Sequence, residues 1–431
     1  MLERRKLFVL KCCPVALSLL CSAAWGNPHG INKEGWALHV PFDLEPVEAM
    51  DGRSLGMGNA AAAVADETSA AVINPTGLLS VQEIQITGSL GMSSYDMEYF
   101  DTHASLNNIG LGPDMEEIRT FSDDVADLPF FGISIPILPE QLVTAIYYQS
   151  IGFTGADSQK VGPSFILDNS LNIQQQSTIE KNIEEYDRSV YGLAGAFRIN
   201  SMFSIGASVN MESFDADLYE RWKSSTFSNY IQDSAFSYEN RIQGDDTDIT
   251  FGLGALLELD TGLSVGIAYR QGGSFSIDYS TTQGTCSTPG NCTAVTETDT
   301  AAFDVPDVWS IGAAWRPAQD WLLSAQTDLV EYSVLSDSTT QGITIDEEID
   351  DGVIFRFGAE KTFFVSDMLE YQLRAGLFTE PDHDGFQAID SDRIHYTLGG
   401  GMTWNKRIKI NVGTGFSEDI FNGALTLSCS I

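Results

Sequence analysis

The chain alternates apolar and polar residues with a period of two over most of its length. In residues 248–257 (DITFGLGALL) the apolar residues fall at every second position up to 255, and residues 203–212 and 408–413 repeat the pattern. Successive side chains of a strand point to opposite faces, whereas helices show a period near 3.6. The pattern therefore predicts an all-β chain.

Fourteen segments carry this alternation, and most are about ten residues or longer. A tilted strand of that length can cross a bilayer, whereas strands of soluble sandwiches are usually nearer five or six residues. The predicted strands lie near residues 82–99, 128–137, 140–152, 186–199, 202–218, 245–259, 262–278, 305–316, 320–333, 351–364, 368–380, 392–404, 406–417 and 421–430.

The connections between these segments alternate between tight turns, such as ILPEQ and LDTGL, and long segments, such as 153–185 and 279–304. Short turns at one end and long loops at the other are typical of outer-membrane barrels. Tryptophans such as Trp309 and Trp404 lie toward strand ends, where aromatic girdles meet the lipid headgroups. The fold class predicted is a transmembrane antiparallel β-barrel of about 14 strands.

Residues 1–26 have a basic start, a short apolar run and small residues before Asn27, which is typical of a secretory signal peptide. No later stretch approaches the roughly 18 apolar residues of a membrane-spanning helix. We therefore predict a signal peptide at 1–26, a separate N-terminal segment at 27–80, and a barrel at 81–431. The expected location is the outer membrane of a Gram-negative cell.

Charge and motifs exclude several functions. The net charge is −37, and loss of the leader makes the chain more acidic still, so we expect no nucleic-acid partner. The motifs G-x-S-x-G and H-E-x-x-H are absent, and none of the five histidines is placed with an obvious nucleophile. No enzyme activity, cofactor or metal site is predicted.

Three cysteines remain after the leader: Cys286, Cys292 and Cys429. The stretch CSTPGNC has Pro-Gly at its centre, so a disulfide between Cys286 and Cys292 is favoured in an oxidising compartment. Free thiols are the alternative, because a zinc site would need more ligands at suitable spacing.

The stretch 52–80 contains Gly56-Met-Gly58-Asn-Ala-Ala61, the spacing of a dinucleotide-binding turn. Such a turn must follow a buried strand and open a helix, but the preceding residues DLEPVEAMDGR are polar and contain proline. Instead, GMG, Ala65-Asp66-Glu67 and Asn74-Pro75-Thr76 resemble the N-terminal hatch of the FadL/TodX family of outer-membrane transporters. The resemblance implies that residues 27–80 form an N-terminal tether and hatch, and it continues through DVPDVWSIGAAWRP (304–317).

The resemblance implies passive uptake of long-chain fatty acids or other hydrophobic compounds through a barrel closed by a hatch. The ligand would leave sideways through a kinked third strand, here the one containing Gly152 and Gly155, although these glycines could simply end that strand. The implied hatch residues have a structural role first and a gating role second, and they are Arg53, Gly56, Gly58, Asp66, Asn74 and Pro75.

Arg270, Arg356 and Arg374 alternate out of phase with lipid-facing neighbours and are predicted to face the lumen. They could bind a carboxylate headgroup. Glu360 shares the phase of Arg356, so a lumenal salt-bridge network is the favoured interpretation. The expected partners are a hydrophobic small-molecule ligand and outer-membrane lipid and lipopolysaccharide, and the protein is expected to be a monomer. A barrel of the same family with a structural or secretion-partner role is the alternative function.

Overall fold

The computed structural model describes most of the chain from Asp51 onward. The predicted signal peptide and the tether up to residue 50 lie outside the described residues. The described ranges are 51–64, 67–101, 117–158, 161–167, 173–228, 231–288, 291–337, 350–381, 393–417 and 420–431.

A closed antiparallel barrel contains nearly all the regular structure. Its circuit runs through β1, β2, β3, β5, β6, β7, β8 and then β11 to β17, and β17 pairs with β1 to close it. The strands are β1 (Gln85–Asp101), β2 (Glu117–Leu138), β3 (Leu142–Ser158), β4 (Val161–Leu167), β5 (Ile173–Arg198), β6 (Phe203–Ser228), β7 (Ile231–Glu258), β8 (Leu263–Arg270), β9 (Ser274–Thr288), β10 (Asn291–Asp304), β11 (Val308–Ala318), β12 (Trp321–Val330), β13 (Gly352–Ser366), β14 (Leu369–Glu380), β15 (Arg393–Trp404), β16 (Ile408–Phe416) and β17 (Ile420–Ser430).

Fourteen strands form that circuit, so the predicted barrel is confirmed. The three others extend the wall at the long-connection end: β4 pairs with β5, and β9 and β10 form a hairpin beyond β8 and β11. Residues 219–244 lie between the predicted strands 202–218 and 245–259 and were expected to be a long connection. They are mostly strand, because β6 and β7 stay paired as far as Ser228 and Ile231. A ladder of backbone hydrogen bonds needs no apolar alternation, so the sequence pattern ends before the strands do.

The apolar phase of the strands points outward. Along β12, Leu323 and Leu329 are exposed, while Gln326 and Asp328 on the other face are buried. This is the reverse of a soluble sandwich and follows from the bilayer being the solvent for the outer surface. The polar phase therefore lines the lumen.

Three short helices fill the lumen at the short-turn end: α1 (Gly52–Gly56), α2 (Ala70–Ile73) and a 3₁₀ helix at Pro75–Ser80. Asp51 caps α1 by accepting hydrogen bonds from the backbone N–H groups of Arg53 and Ser54. We call residues 51–64 and 67–81 the hatch. In the part of the chain that the structure describes, no helix is both long and apolar enough to span a membrane.

Candidate transport pathway

The hatch meets the barrel wall at a ring of inward-facing glycines. A Cβ atom placed on any of them would lie within 3.1 Å of a hatch atom. Hatch and wall are therefore in direct backbone contact, with no room for even a methyl group. The ring consists of Gly206, Gly254, Gly266, Gly312, Gly358, Gly376, Gly399 and Gly413.

Gly56 and Gly58 are the hatch's own contribution to this contact. A Cβ on Gly56 would lie 2.9 Å from the Cα of Gly399. Gly58 has a φ of +63°, and a Cβ there would lie 2.7 Å from the carbonyl oxygen of Phe357. Both positions require glycine for packing, and for Gly58 also for backbone conformation.

Asn74 and Pro75 fix the second half of the hatch. The Asn74 side chain caps the 3₁₀ helix by accepting from the N–H of Thr76 at 3.2 Å and from its hydroxyl at 2.7 Å. Its amide donates to the carbonyl of Ala62 at 2.7 Å, which joins the two halves of the hatch. Pro75 starts the 3₁₀ helix, where a missing N–H costs nothing.

Arg53 anchors the hatch to the wall through a buried ion-pair triad. Arg53 Nε donates to Glu360 Oε2 at 3.0 Å, and Arg374 Nε donates to the same oxygen at 2.6 Å. Glu360 lies on β13 and Arg374 on β14, so one carboxylate joins hatch and barrel. Breaking one member would leave buried charge uncompensated.

Glu67 is a second anchor, which the sequence analysis did not single out. It is 3% exposed and contacts Lys409 at 3.5 Å. It also accepts hydrogen bonds from Asn411 at 3.1 Å and Ser428 at 3.2 Å. The sequence signal was an acidic residue within an alanine-rich stretch, together with the alternating Lys409 and Asn411. The neighbouring Asp66 lies outside the described residues, so its role stays a prediction.

A third polar contact lies on β12 and β13. Arg356 Nε donates to Asp328 at 2.6 Å, and Gln326 donates to the other oxygen of Asp328 at 2.7 Å. The Gln326 carbonyl oxygen in turn accepts from the N–H of Ala62 in the hatch at 2.8 Å. The hatch is thus hydrogen-bonded to this buried network as well.

Above the hatch, toward the long-connection end, the lumen is apolar. The rings of Phe275 and Phe303 both pack against Phe214, with centroid distances of 5.2 Å and 5.3 Å. All three side chains are fully buried. We call this group the outer apolar cluster. Its other buried members are Ala216, Ile242, Ile277, Tyr279, Ala301, Val305, Val308, Val330, Tyr332, Leu335 and Ile354.

A lumenal cavity of about 20 Å³ lies between the hatch and this cluster. Val72 of the hatch forms part of its lining. Tyr147 of β3, Asn210 and Glu212 of β6, and Arg270 of β8 contribute polar groups. The cavity has room for roughly one water-sized group, so it receives the end of a molecule rather than the whole.

Next to this cavity, β2 and β3 pair with each other over only part of their length, and we call the point where they separate the split seam. The outermost β2–β3 pair is Phe130 with Gln149, after which β2 continues against β1 while β3 continues against β5. Pro129 lies within a register shift of β2, between Asp127 and Phe130, and has no N–H to donate. Tyr147, which lines the cavity, lies two residues before the split.

The profile of the outer membrane protein transport protein family (OMPP1/FadL/TodX) matches residues 178–419, more than half of the chain. The chain belongs to this family. The predicted resemblance and the outer-membrane location are thereby confirmed, and so is the prediction that the protein is not an enzyme, because the family consists of transport proteins.

Solved structures of FadL/TodX proteins share the fold. A FadL homologue of Pseudomonas aeruginosa has a TM-score of 0.61 at 14% identity, covering 89% of this chain and 98% of that one. The toluene transporter TodX of P. putida has a TM-score of 0.62 at 13% identity, with coverage of 90% and 99%. The toluene transporter TbuX of Ralstonia pickettii has a TM-score of 0.57 at 13% identity, with coverage of 90% and 100%. No curated protein sequence matches the chain.

Family membership orients the barrel. The short turns face the periplasm and the long connections face outward. The hatch therefore closes the periplasmic end of this FadL/TodX protein, and the outer apolar cluster faces the cell exterior.

The predicted exit strand is β3. Gly152 pairs with Asp187 of β5, and Gly155 falls in the register shift between Thr154 and Asp157. Both glycines lie beyond the last β2–β3 pair, on the stretch of β3 that has left β2. Their role in ligand exit stays a prediction.

The three predicted lumenal arginines lie at different heights. Arg374 is part of the hatch triad and Arg356 pairs with Asp328, so these two favour the network interpretation. Arg270 lines the cavity and donates to Ser310 at 3.3 Å. Binding of a headgroup by any of them stays a prediction.

Cys286 and Cys292 lie directly opposite each other as Cα partners on β9 and β10. Their side chains lie outside the described part of the chain, so the disulfide stays a prediction. Cys429 on β17 is a free thiol. Among the residues described, no group of three or more His, Cys, Asp or Glu side chains could hold a metal ion.

Proposed function

We propose that this FadL/TodX protein takes up long-chain fatty acids or other hydrophobic compounds passively across the outer membrane. The ligand enters at the outer apolar cluster, reaches the lumenal cavity and leaves sideways through the β2–β3 seam into the bilayer. The hatch keeps the periplasmic end closed to water and solutes.

The observation that carries this proposal is the position of the split seam. An apolar ligand in the cavity touches Tyr147, and the split between β2 and β3 begins two residues further along β3. A sideways exit delivers the ligand to hydrocarbon and avoids the aqueous periplasm. Burial of each methylene contributes about 0.8 kcal/mol, so the ligand needs no nucleotide to drive its capture.

The gating role of the hatch rests on its contacts. Polar contacts that include those of Arg53, Glu67 and the Ala62 N–H join it to the wall. Val72 forms the floor of the cavity, so a shift of α2 changes the cavity's size. The relatives named toluene transporters support aromatic hydrocarbons as ligands beside fatty acids.

The test is uptake of radiolabelled oleate, and then toluene, by cells lacking their own transporter. We expect the intact chain to restore uptake of at least one of these compounds. Deletion of residues 53–77 is expected to abolish selective uptake and to make the barrel leaky to small polar solutes. Barrel insertion is checked in each strain by the heat-dependent shift in gel mobility.

The seam is tested by Pro129→Thr, which restores a backbone donor where β2 leaves β3. We expect slower uptake with unchanged insertion. Normal insertion without uptake of either compound would contradict transport and favour the structural or secretion-partner role. Full uptake by the Pro129→Thr variant would argue against lateral exit.

A further inference from the structure

A one-way chain of side-chain hydrogen bonds crosses the wall of the lumenal cavity and ends on Glu212. The Tyr147 hydroxyl donates to the Asn210 carbonyl oxygen at 2.6 Å. The Asn210 amide donates to the Thr250 hydroxyl at 3.4 Å, and that hydroxyl donates to Glu212 Oε1 at 2.7 Å. Each donated hydrogen is accepted by the next residue in the series, so the series ends at Glu212 Oε1, which accepts the last hydrogen bond.

The second carboxylate oxygen of Glu212 has no hydrogen-bond partner. The residue is 1% exposed, and Oε2 is buried without a donor, although Arg188 lies close enough to interact electrostatically. A Cβ placed on Gly273 would lie 2.7 Å from the Phe275 ring and 3.2 Å from Oε2, so glycine at this position keeps a side chain away from this oxygen. Buried acceptors are normally satisfied, and one left open beside a cavity points to a ligand that donates.

The rest of the cavity lining narrows the chemistry of that ligand. Val72, Val305 and Val308 are apolar, whereas Arg270 supplies a guanidinium to the same cavity. A hydroxyl group donates one hydrogen bond and accepts others, so it can satisfy both polar sides. A carboxylate has no proton to give and would bring a second negative charge next to Glu212.

We propose that the ligand is an apolar molecule with one neutral hydroxyl group, an alcohol or a phenol, which donates to Oε2 of Glu212. This inference rests on the proposed function and specifies its ligand. The hydroxyl occupies the cavity, whose volume of about 20 Å³ suits a group of that size. The apolar body of the ligand lies along the outer apolar cluster. This cluster includes Phe275, two residues after Gly273.

The test measures binding of three matched radiolabelled probes: 4-octylphenol, octylbenzene and 4-octylbenzoate. The full chain is reconstituted in lipid nanodiscs, and binding to empty nanodiscs is subtracted. We expect 4-octylphenol to bind at least about tenfold more tightly than the other two, the factor expected for a hydrogen bond to a charged group. A parallel comparison of 1-dodecanol with dodecane extends the test to alcohols.

Two variants of Glu212 and one control locate the effect. Glu212→Leu is expected to bind 4-octylphenol and octylbenzene equally. Glu212→Gln keeps an acceptor oxygen without the charge, so the preference for 4-octylphenol should fall severalfold and discrimination against 4-octylbenzoate should relax. Glu370→Gln makes the same chemical change at the periplasmic end of β14 and should behave as the wild type.

The outcomes separate this inference from the proposed function. Equal binding of 4-octylphenol and octylbenzene by the wild type would overturn the hydroxyl assignment and leave transport of apolar compounds standing. Tightest binding of 4-octylbenzoate would overturn it in favour of a carboxylate headgroup held by Arg270. Binding of none of the probes by a folded, heat-modifiable barrel would reject the proposed function and the inference together.

Discussion

The two halves of the lumen are built from different interactions. At the periplasmic end the hatch is held by ion pairs and by backbone packing against wall glycines, as at Glu360 and Gly413. At the outer end the lumen is filled by aromatic and aliphatic side chains packed around Phe214. Apolar contacts are non-directional and rearrange around a guest, whereas hydrogen-bonded ion pairs have one good geometry. The lumen therefore combines an adaptable entrance with a plug held in one place.

The largest effect should come from the periplasmic half, through Glu360→Gln. The amide leaves two buried arginines, Arg53 and Arg374, without their shared counter-charge. Breaking a buried pair in this way costs about 3–5 kcal/mol. We expect the hatch to detach, which is measured as faster proteolysis of residues 53–77 in proteoliposomes and as increased conductance in planar bilayers.

The control for this change is Glu370→Gln, at the periplasmic end of the neighbouring strand β14. It should leave proteolysis and conductance at wild-type values. A Glu360→Gln protein with an intact, protease-resistant hatch would show that packing alone holds the hatch, and the contrast between the two halves would disappear.

The outer half is tested by Phe275→Ala. Truncation of this fully buried ring leaves a cavity beside Phe214 and should cost about 3 kcal/mol, the lower end for buried phenylalanines. We expect weaker ligand capture, because the cluster is the proposed entry site, and no change in hatch proteolysis, because Phe275 is not one of the polar anchors. Uptake rate at low ligand concentration is the measurement.

Phe363→Ala is the matched control, because that ring is 45% exposed on the outer surface. Its uptake should match the wild type. If Phe275→Ala loosened the hatch as much as Glu360→Gln does, the two halves would be mechanically coupled rather than distinct.

A smaller effect is expected from Gly413→Val, which probes the glycine ring without touching any charge. A Cβ at this position would lie 2.3 Å from the carbonyl oxygen of Gly52. Such overpacking typically costs about 1–3 kcal/mol. The temperature at which the barrel loses its heat-dependent gel shift should fall, and the hatch should become partly protease-sensitive.

Gly400→Val tests whether valine as such is tolerated in β15, because the nearest atom to a Cβ there is 3.9 Å away. A similar loss of stability in both variants would mean that strand geometry, and not contact with the hatch, governs these positions.

The smallest effect should come from Asp320→Asn in the periplasmic turn between β11 and β12. A hydrogen bond from Lys361 holds the pKa of this exposed carboxyl below its ordinary value of 3.8. The stabilisation is therefore present above that value and is lost as the pH falls through the lowered pKa. We expect the unfolding temperatures of variant and wild type to differ only slightly at pH 7, as exposed ion pairs contribute little, and to converge as the pH falls through the lowered pKa.

If variant and wild type had nearly identical unfolding temperatures at low and at neutral pH, the exposed pair of Asp320 and Lys361 would contribute almost nothing to stability, which agrees with the expected small effect. A large gap at neutral pH would contradict the distinction between exposed and buried ion pairs on which the comparison depends. The control is Asp367→Asn, in the next periplasmic turn, between β13 and β14.

Much of the barrel was predictable because it follows from short-range patterns. The alternation in residues 248–257 reflects the two faces of β7. The turn LDTGL joins β7 to β8, and the turn ILPEQ joins β2 to β3. Strand length was underestimated, since polar segments such as 219–228 form backbone ladders that need no apolar alternation. The glycines and the Asn-Pro pair of the hatch were recognisable because their backbone requirements are local.

The sequence by itself determined the strand period and the number of barrel strands, because each depends on neighbours along the chain, whereas the hatch followed from the resemblance to the FadL/TodX family. Only the tertiary structure decided that Glu360 joins Arg53 to Arg374 and that Glu67 meets Lys409. It also decided that Glu212 lines a cavity and that its Oε2 atom has no hydrogen-bond partner. These partners are separated by tens to hundreds of residues, and their meeting depends on the register with which each strand closes the barrel.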